Sequence, residues 1–404
     1  MNIAIAPFAT TFLDLFVNLA GYLRILGHEV TFVNPDPYIA YLLRDAGFFP
    51  DFYKQNNFEE DYYSRESPLV QQYCRLYHLD DIDAVIKRKN TEYARAKRYF
   101  QNYHAKKVIL WNGENNVESD VCKTLGIETF FCENGYFPNT FQMNRSGVNS
   151  RAEFANLSFS DFMNFTLPNI GVTPVHFEIK HIKQSIIQRY IFRFFSREYR
   201  VIMKEALKAN QKKRKAKRSF RKAPIDQIDI EKLGNWAFFP LQVNSDTQIV
   251  LNSPYESMYQ VLEHNLPKLI NAGYKVVLKE HPDEVELVDY SHFVDNERIF
   301  LVKKFDINEL ISRSDFTIAV NSSVGLQAVA AGKPVVVLGD SFYLSAPNTS
   351  RLALDCNKVE LAVGINNIDT EAYISHMKND IFIKGDWRNI TIEFLQLLCS
   401  RILA

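Results

Sequence analysis

The feature that most constrains this chain is a repeated alternation of short apolar runs with helix-like stretches. Near the N-terminus, an apolar, β-branched run at Asn2–Ala6 is followed by a helical pattern at Leu13–Leu26 and a second apolar run at Glu29–Val33. Strand, helix and strand in this order build a parallel sheet, because parallel strands need a crossover connection. Further strands are predicted at Lys107–Trp111 and Glu128–Cys132. The pattern predicts a Rossmann-like first domain with a helical, aromatic-rich insertion between about residues 40 and 103.

The same alternation returns in the second half of the chain. It begins with a predicted strand at Trp236–Pro240. The elements predicted after it are helix Ser257–Ala272, strand Lys275–Lys279, strand Arg298–Val302, helix Asn308–Arg313, strand Asp315–Val320, helix Val324–Ala331 and strand Pro334–Leu338. This series predicts a second doubly wound sheet.

A length of 404 residues exceeds what one ordinary core needs, so two domains are expected. We predict a Rossmann-like domain with helical insertions and a basic bridging helix at residues 1–225, and a second Rossmann-like domain at residues 226–385. Residues 386–404 are predicted to form a helix that packs back on the first domain. Ligands of such sheets bind at the carboxyl ends of the strands, so the functional residues are expected there.

Composition excludes several classes of protein. With 47 basic and 47 acidic residues, the net charge is zero and no overall field favours nucleic acid. Five widely spaced cysteines without a CxxC pair predict neither disulfides nor a zinc site, which fits a reducing cytoplasm. The first residues are not interpreted as a signal peptide, and no apolar stretch approaches the roughly 18 residues that span a bilayer.

Charge is nevertheless uneven along the chain. Residues 189–222 contain fourteen Lys or Arg against two Glu, interleaved with aromatic residues. Such a helix can lie on an anionic membrane surface, where each cation contributes about 1 kcal/mol, or can be a solvated bridge between domains. Under the first alternative the protein is peripheral at the inner face of the cytoplasmic membrane.

A strand-to-helix junction at residues 319–325 carries the sharpest motif of the sequence. Asn321, Ser322 and Ser323 stand where the helix begins, and Gly325 lies in its first turn. First-turn N–H groups and two hydroxyls can bind an anionic oxygen such as a nucleotide phosphate. The alternative is a serine that only caps its own helix.

A second candidate follows the predicted strand Lys275–Lys279. Lys279 and His281 would place one permanent and one switchable donor near the same sheet edge, and Pro282 would hold the turn rigid. Both donors could contact a phosphate. A loop histidine with an ordinary structural partner is the alternative.

Two carboxylates are candidates for the chemistry. Glu133 follows a predicted strand, with Gly135 freeing the turn after it, so Glu133 suits a general acid or base. Asn149 belongs to a tight polar turn that could line the same site. Asp246 lies in a polar loop with Gln242 and Gln248, where hydrogen bonds can orient a nucleophilic carboxylate. The alternative for Glu133 is a glutamate that caps a helix or forms a salt bridge. The alternative for Asp246 is an aspartate that only stabilises an Asx turn.

Taken together, these motifs resemble the bacterial capsule polysaccharide biosynthesis family of retaining β-Kdo glycosyltransferases, including capsule linker and O-antigen (lipopolysaccharide) terminating enzymes. The matching segments are Glu133-Asn134-Gly135, Gly147-Val148-Asn149, Leu241-Gln242-Val243 with Asp246 and Gln248, Lys279 with His281-Pro282, Asn321 to Gly325, and Gly332-Lys333-Pro334. One departure is Asn134, where relatives often carry an acidic residue. The resemblance implies a GT-B-like α/β fold, in which two Rossmann-like domains flank an interdomain cleft.

The resemblance also implies roles. Asp246 would attack the anomeric carbon of the CMP-Kdo donor, and Glu133 would serve as acid or base for the acceptor hydroxyl. Lys279, His281, Ser322 and Ser323 would bind the phosphate and the donor carboxylate in the second domain, while the first domain would receive a glycan or lipid-linked glycan acceptor. Metal independence and no further cofactor are expected, because a cation and a helix N-terminus can stabilise a CMP leaving group.

Three other functions stay open from the sequence. A CMP-sialic-acid-type inverting transferase shares the glutamate, His-Pro and Ser-Ser motifs, and a CDP-glycerol glycerophosphotransferase shares the cytidine nucleotide, the histidine and the Ser-Ser helix start. The chain could also be a non-catalytic nucleotide- or glycan-binding partner in an assembly complex. Nucleic-acid binding is not expected, since no recognised motif accompanies the basic segment.

Overall fold

The structure is a computed structural model of the whole chain. It describes residues 1–6, 9–53, 60–77, 79–112, 116–188, 211, 214–223, 226, 228–244, 246–284, 287–352, 359 and 367–404. The chain forms two compact units. The first comprises Met1–Glu153, Phe165–Arg200 and His376–Ala404, and the second comprises Phe154–Asn164 and Val201–Ser375.

The first unit is built on a mixed, mainly parallel sheet, with elements numbered in chain order. Its strands are β1 (Asn2–Ile5), β2 (Glu29–Phe32), β3 (Lys107–Trp111), β4 (Glu128–Asn134), β5 (Thr140–Asn144) and β12 (Ile383–Lys384). The strand order is β12-β5-β4-β3-β1-β2. The four strands from β2 to β4 are parallel, whereas β5 runs antiparallel to both β4 and β12.

Helices cover both faces of this sheet. They are α1 (Leu13–Ile25), α2 (Pro37–Asp45), α3 (Pro68–Tyr77), α4 (Ile82–Tyr103), α5 (Val117–Leu125) and α12 (Ile392–Leu403). Helix α12 packs against α1 in one buried cluster that includes Phe16, Leu19, Phe394 and Leu398. Helices α4 and α5 form a second buried cluster on β3, with Tyr93 and Val121 at its centre. The C-terminal segment is therefore part of the first unit's core.

The second unit contains a fully parallel sheet. Its strands are β6 (Trp236–Pro240), β7 (Lys275–Lys279), β8 (Ile299–Val302), β9 (Phe316–Ala319), β10 (Val335–Val337) and β11 (Thr349–Arg351), in the order β11-β10-β9-β6-β7-β8. Its helices are α6 (Phe159–Asn164), α7 (Thr247–Asn252), α8 (Met258–Asn271), α9 (Ile307–Arg313), α10 (Ser323–Ala330) and α11 (Asn367–His376). Strand β6 is buried along its whole length, as expected for a central parallel strand covered on both faces.

The predicted fold class of two Rossmann-like α/β units is confirmed by these two sheets. Strands β3, β6 and β7 have the predicted bounds, and most other predicted elements differ by one residue at an end. Helices α5, α6, α7 and α11 and strands β5, β11 and β12 were not predicted. The unit ranges also differ from the predicted domains: Phe154–Asn164 belongs to the second unit, which otherwise begins at Val201, and the return to the first unit begins at His376.

Much of the predicted basic segment lies outside the described residues. Within residues 189–222, the structure describes 211 and 214–222, all of them helical. The proposed membrane contact of this segment therefore stays a prediction. In the part of the chain that the structure describes, no helix combines the length and apolarity needed to span a membrane.

Candidate active site

In the second unit, the ends of neighbouring strands β6 and β9 are joined by side-chain amides. Gln242, two residues beyond β6, donates from Nε2 to Asn321 Oδ1 at 3.2 Å, and its Oε1 accepts the Asn321 backbone N–H at 3.3 Å. Asn321 Nδ2 donates to the backbone carbonyl of Gln248 at 2.9 Å. Both Gln242 and Asn321 are buried, so these bonds fix the strand ends to the loop that carries Asp246.

Asp246 stands at the start of the short helix α7 and caps it. Its Oδ1 accepts the backbone N–H of Gln248 at 3.0 Å, and its Oδ2 lies 3.4 Å from Gln242 Nε2. Gln248 in turn accepts a hydrogen bond from Asn252 Nδ2 on its Oε1 at 2.9 Å. The predicted residues Gln242, Asp246, Gln248 and Asn321 therefore form one hydrogen-bonded cluster, in which the Asp246 carboxylate is held by neutral donors.

A buried glutamate anchors the same loop from the other side. Glu284 accepts the backbone N–H of Asn244 on Oε2 at 2.7 Å, and the Tyr290 hydroxyl lies 3.4 Å from the same oxygen. Burial raises the pKa of Glu284, and the charges of Glu280 and Asp246 add to that effect. Sequence reasoning missed Glu284, although a glutamate two residues after His281-Pro282 lies at the carboxyl edge of the sheet.

Ser322 is the N-cap residue of α10, but its hydroxyl does not cap the helix. The Oγ atom is buried and has no hydrogen-bond partner among the described residues. A buried polar atom without a partner costs free energy unless a ligand or water satisfies it. Ser323, the next residue, is exposed at the helix start. Of the two interpretations of this junction, ordinary capping by the Ser322 hydroxyl is therefore wrong.

Gly325 has a packing role in the first turn of α10. A Cβ atom there would lie 2.1 Å from the Tyr343 hydroxyl oxygen and 3.1 Å from the Ala319 Cβ. The Tyr343 hydroxyl donates to the Ser322 carbonyl at 2.9 Å. Glycine is required because it lets Tyr343 approach and fix the loop that presents Ser322.

Lys279 ends strand β7 and reaches towards β8. Its Nζ donates to the backbone carbonyl of Lys303 at 2.8 Å. Burial lowers the pKa of Lys279, while the nearby carboxylates of Asp226 and Asp306 act in the opposite direction. Asp226 itself accepts the backbone N–H groups of Lys303, Lys304 and Phe305. Lys279 is therefore held against the edge of the sheet by this turn.

His281 and Pro282 form the turn after β7. The His281 Nδ1 accepts the backbone N–H of Asp283 at 3.1 Å, so in the neutral ring the proton resides on Nε2. Pro282 is exposed and holds the turn rigid through its fixed φ. The ring is thus oriented by its own turn.

In the first unit, Glu133 lies within a strand and not after one, which corrects the prediction. Strand β4 continues to Asn134, because β5 pairs with it antiparallel and places Glu133 opposite Gln142. Glu133 Oε2 accepts from Asn112 Nδ2 at 2.9 Å, and Oε1 accepts from the backbone N–H of Asn134 at 2.8 Å. Burial raises the pKa of Glu133, while these hydrogen bonds oppose the rise.

Gly135 and Asn149 support this hairpin, and the reason for Gly135 differs from the predicted one. Its φ is not in the left-handed region; instead a Cβ would lie 2.0 Å from Thr140 Oγ1 and 2.4 Å from the Thr140 carbonyl carbon. Asn149 does have a left-handed φ of 55°, and its Oδ1 accepts from the Tyr136 hydroxyl at 2.6 Å and from Gln142 Nε2 at 3.3 Å. Both residues hold the loops around Glu133 in place.

Two amides beside Glu133 were not predicted to take part. Asn112 follows β3 with a left-handed φ of 60°, so its position at the carboxyl end of a parallel strand was the available signal. Asn134 donates from Nδ2 to Glu133 Oε1 at 3.1 Å and accepts from Trp387 Nε1 at 2.6 Å. Trp387 comes from the C-terminal segment, and nothing in the local sequence around Glu133 indicates that contact.

Metal independence of the reaction stays a prediction. Within the described ranges, no three or more His, Cys, Asp or Glu side chains are grouped so that they could hold a metal ion. The cationic and amide donors described above are the groups available to bind a phosphate.

Comparison with known proteins gives the class to which this chain belongs. Residues 106–387 match the family described as capsule polysaccharide biosynthesis protein. Because this match covers well over half of the chain, the protein is a member of that family. The matched range includes all the predicted site residues of both units.

Individual relatives are distant. Protein FixF of Sinorhizobium fredii is 28% identical over 243 residues, which are 58% of this chain and 49% of FixF. The capsule polysaccharide modification protein LipB of Neisseria meningitidis serogroup A is 24% identical over 281 residues, 61% of this chain and 66% of LipB. The chain thus spans about half the length of the first relative and 66% of the second.

Solved structures of similar proteins include the beta Kdo 2,7 transferase of Thermosulfurimonas dismutans KpsC. It is 13% identical with a TM-score of 0.42, over 92% of this chain and 89% of that one. A UDP-GlcNAc 2-epimerase from Methanocaldococcus jannaschii is 12% identical with a TM-score of 0.28, over 100% and 99% of the two chains. Both TM-scores are low, so neither likeness bears on function.

Proposed function

We propose that this protein is a glycosyltransferase of bacterial surface polysaccharide biosynthesis, and specifically a retaining β-Kdo transferase that uses CMP-Kdo. The observation that carries the proposal is the Asp246 carboxylate, held at the carboxyl edge of a parallel sheet by Gln242 and the Gln248 N–H. It lies in the same hydrogen-bonded cluster as Asn321, whose neighbour Ser322 has a buried hydroxyl without a partner in the described structure. Membership of the capsule family supports the assignment.

Retention of configuration requires two inversions at the anomeric carbon. In the first step, an Asp246 oxygen forms a bond to that carbon while the bond to the phosphate oxygen breaks and CMP leaves with the electron pair. In the second step, Glu133 accepts the proton of the acceptor hydroxyl, whose oxygen then displaces Asp246. Burial raises the pKa of Glu133, which favours its uptake of a proton.

The donor groups of the second unit would stabilise the departing phosphate. Ser322 Oγ, the exposed Ser323 and the N-terminus of α10 can donate hydrogen bonds to an anionic oxygen, and the His281 side chain would add a further donor. Lys279 adds a cation that is partly buried, which strengthens its interaction with a phosphate. No step requires a metal ion.

The experiment is to incubate the purified chain with CMP-Kdo and a lipid-linked or synthetic glycan acceptor, and to measure CMP release and the anomeric configuration of the product by NMR. A β-Kdo product that forms equally well with a chelator is expected. An inverted product would favour the sialyltransferase-type alternative, and transfer from CDP-glycerol alone would favour the glycerophosphotransferase. CMP binding without any turnover would favour a non-catalytic partner.

A further inference from the structure

A cavity of about 320 Å³ opens in the first unit where β3 gives way to α5. Its walls include Tyr62, Tyr63, Gln72, Ser119, Asp120 and Arg151. Ligand pockets of proteins usually measure roughly 300–1,000 Å³, and parallel sheets bind ligands at the carboxyl ends of their strands. The N-cap of α5, Asn116, also lines the cavity, so its place in the fold is that of a ligand site.

One wall is a fixed aromatic platform. Tyr62 is 42% exposed, and one face of its ring stacks on Tyr93 with ring centroids 3.9 Å apart and an interplanar angle of 10°. The backbone N–H groups of Tyr62 and Tyr63 both donate to the buried Asn90 Oδ1, at 3.1 and 2.7 Å. The Tyr63 ring also contacts Tyr62 in a T-shaped arrangement with ring centroids 4.8 Å apart, so two neighbours hold the Tyr62 ring while its exposed part can stack on a ligand. Aromatic faces of this kind suit the apolar face of a sugar ring.

The remaining walls are polar. Asp120 Oδ2 accepts the Tyr63 hydroxyl at 2.7 Å, which orients the carboxylate and leaves its second oxygen available as an acceptor. Gln72 and Ser119 add an amide and a hydroxyl that can both donate and accept. A carboxylate acceptor beside groups that both donate and accept hydrogen bonds can bind several hydroxyls of a sugar.

The cavity also contains one cation that can pair with a negative group, beside the carboxylate of Asp120. Arg151 lines it and makes no ion pair with any residue that the structure describes. Helix α3 begins at its wall with Pro68 and has no acidic residue in its first turn, so its N-terminus attracts anions, whereas the first turn of α5 already holds the carboxylates of Glu118 and Asp120. Arg151 follows Asn149, which bonds to Gln142, the residue opposite Glu133 on β4. The loop that carries Arg151 is therefore hydrogen-bonded to the strand that pairs with Glu133.

We propose that this cavity binds an anionic sugar of the glycan acceptor, with Tyr62 stacking on the ring, Asp120 and Gln72 binding hydroxyls, and Arg151 pairing with a carboxylate or phosphate. The inference rests on the proposed function, because it assigns the acceptor of that reaction to this part of the first unit.

Direct binding tests the site without any turnover. The probes are the methyl glycoside of Kdo, glucose 6-phosphate and neutral methyl glucoside, titrated against the full chain by ligand-observed NMR. Tyr62→Ala is expected to weaken binding of the anionic probes about three- to tenfold, and Tyr62→Phe to restore it. Arg151→Gln is expected to remove the preference for anionic over neutral sugar, about tenfold. The carboxylate and phosphate probes show which anion is preferred.

Tyr41→Ala is the matched control, because Tyr41 is a 38% exposed tyrosine on α2 of the same unit. Equal affinities of wild type, Tyr62→Ala and Arg151→Gln for all probes would overturn the proposal, as would no binding by wild type. If Tyr62→Ala does not fold by circular dichroism, Arg151→Gln and Gln72→Ala decide the question.

Kinetics separate this inference from the proposed function. Hydrolysis of CMP-Kdo without acceptor should be unchanged in Tyr62→Ala and Arg151→Gln, whereas the acceptor KM should rise by the same factors as the binding constants. Normal CMP-Kdo hydrolysis with an unchanged acceptor KM would reject the cavity and keep the transferase. Sugar binding that depends on Tyr62, with no activity on CMP-Kdo, would reject the transferase and keep the cavity as a sugar site.

Discussion

Asp246 and Glu133 are both carboxylates held by amides, yet their structural settings differ. Asp246 starts a helix at the edge of a parallel sheet, and its oxygens contact the Gln248 N–H and the Gln242 amide. Glu133 lies inside an antiparallel strand pair and receives hydrogen bonds from Asn112 and Asn134. None of these hydrogen bonds to Asp246 or Glu133 comes from a positively charged group.

The difference is compatible with the two roles that we propose for these carboxylates. A helix N-cap holds a carboxylate at a fixed place with its charge facing the helix start, which suits a nucleophile. Burial within a sheet raises the pKa of Glu133, which suits a group that binds and releases a proton during the reaction. The four predictions below separate these roles, in order of decreasing effect.

Asp246→Asn should abolish transfer, by about a thousandfold or more, because a carboxamide cannot displace CMP. Stability should change little, within about 0.5 kcal/mol, since asparagine caps a helix as well as aspartate does. Steady-state CMP release and thermal unfolding check the two statements. Asp81→Asn is the matched control, because Asp81 caps α4 through the Ala84 N–H in the first unit. Undiminished turnover in Asp246→Asn would remove Asp246 from the nucleophile role.

Glu133→Gln should slow transfer to acceptor by about a hundredfold, the usual scale for loss of a general base. Formation of the intermediate should be affected less, because CMP departs without a proton from Glu133. Single-turnover measurements of CMP release and of product separate the two steps. Glu118→Gln is the control, since Glu118 is also a partly buried glutamate of this unit with a pKa raised by burial. Equal product rates for wild type and Glu133→Gln would assign Glu133 to structure.

Ser322→Ala should raise the KM for CMP-Kdo by about tenfold and leave the free energy of unfolding unchanged or slightly higher. The reason is that the Ser322 hydroxyl has no partner in the described structure, so its hydrogen bond is available to the donor phosphate. Ser257→Ala is the opposite case: Ser257 Oγ accepts the Gln260 N–H at 3.2 Å and caps α8, so its loss should cost about 1 kcal/mol of stability at constant KM. The same response from both serines would contradict this distinction.

Asn112→Gly should shift the pH dependence of the transfer rate. Its maximum rate should stay closer to that of wild type than the rate of Glu133→Gln does. As a base, Glu133 must be deprotonated, so the rate rises with pH through its pKa, which burial places above the ordinary value of 4.5. The Asn112 hydrogen bond stabilises the ionised form, so removing it should move the acidic limb further towards high pH. Glycine keeps the left-handed φ of residue 112. A limb that stays in place, or moves towards low pH, would exclude Glu133 as the titrating group.

The sequence allowed the central parallel strands to be predicted well because their signal is local. Strand β6 is a continuous apolar run and β7 is an apolar run flanked by Lys275 and Lys279, and both have the predicted bounds. The predicted end of β4 at Cys132 was wrong, since the strand is extended by pairing with β5. That pairing depends on a partner strand, Thr140–Asn144, whose alternation of polar and apolar residues is only five residues long.

The sequence allowed the positions of the candidate residues in the fold to be predicted, but not the contacts that their side chains make. The rule that ligands bind at carboxyl ends of parallel strands located Gln242, Asp246 and Asn321, and the structure joins them. It could not show that Gly325 makes room for Tyr343, because that tyrosine follows 18 residues later in the chain. Nor could it show that Trp387 holds Asn134 beside Glu133. These are tertiary contacts between distant segments, which local pattern does not encode.

The most direct test of the account is the intact mass of the Glu133→Gln variant after incubation with CMP-Kdo, followed by peptide mapping. Slowing the second step should leave one Kdo residue covalently bound to Asp246, and the adduct should be absent from the Asp246→Asn, Glu133→Gln double variant. Release of CMP with no adduct, or an adduct on a different residue, would contradict the double displacement at Asp246.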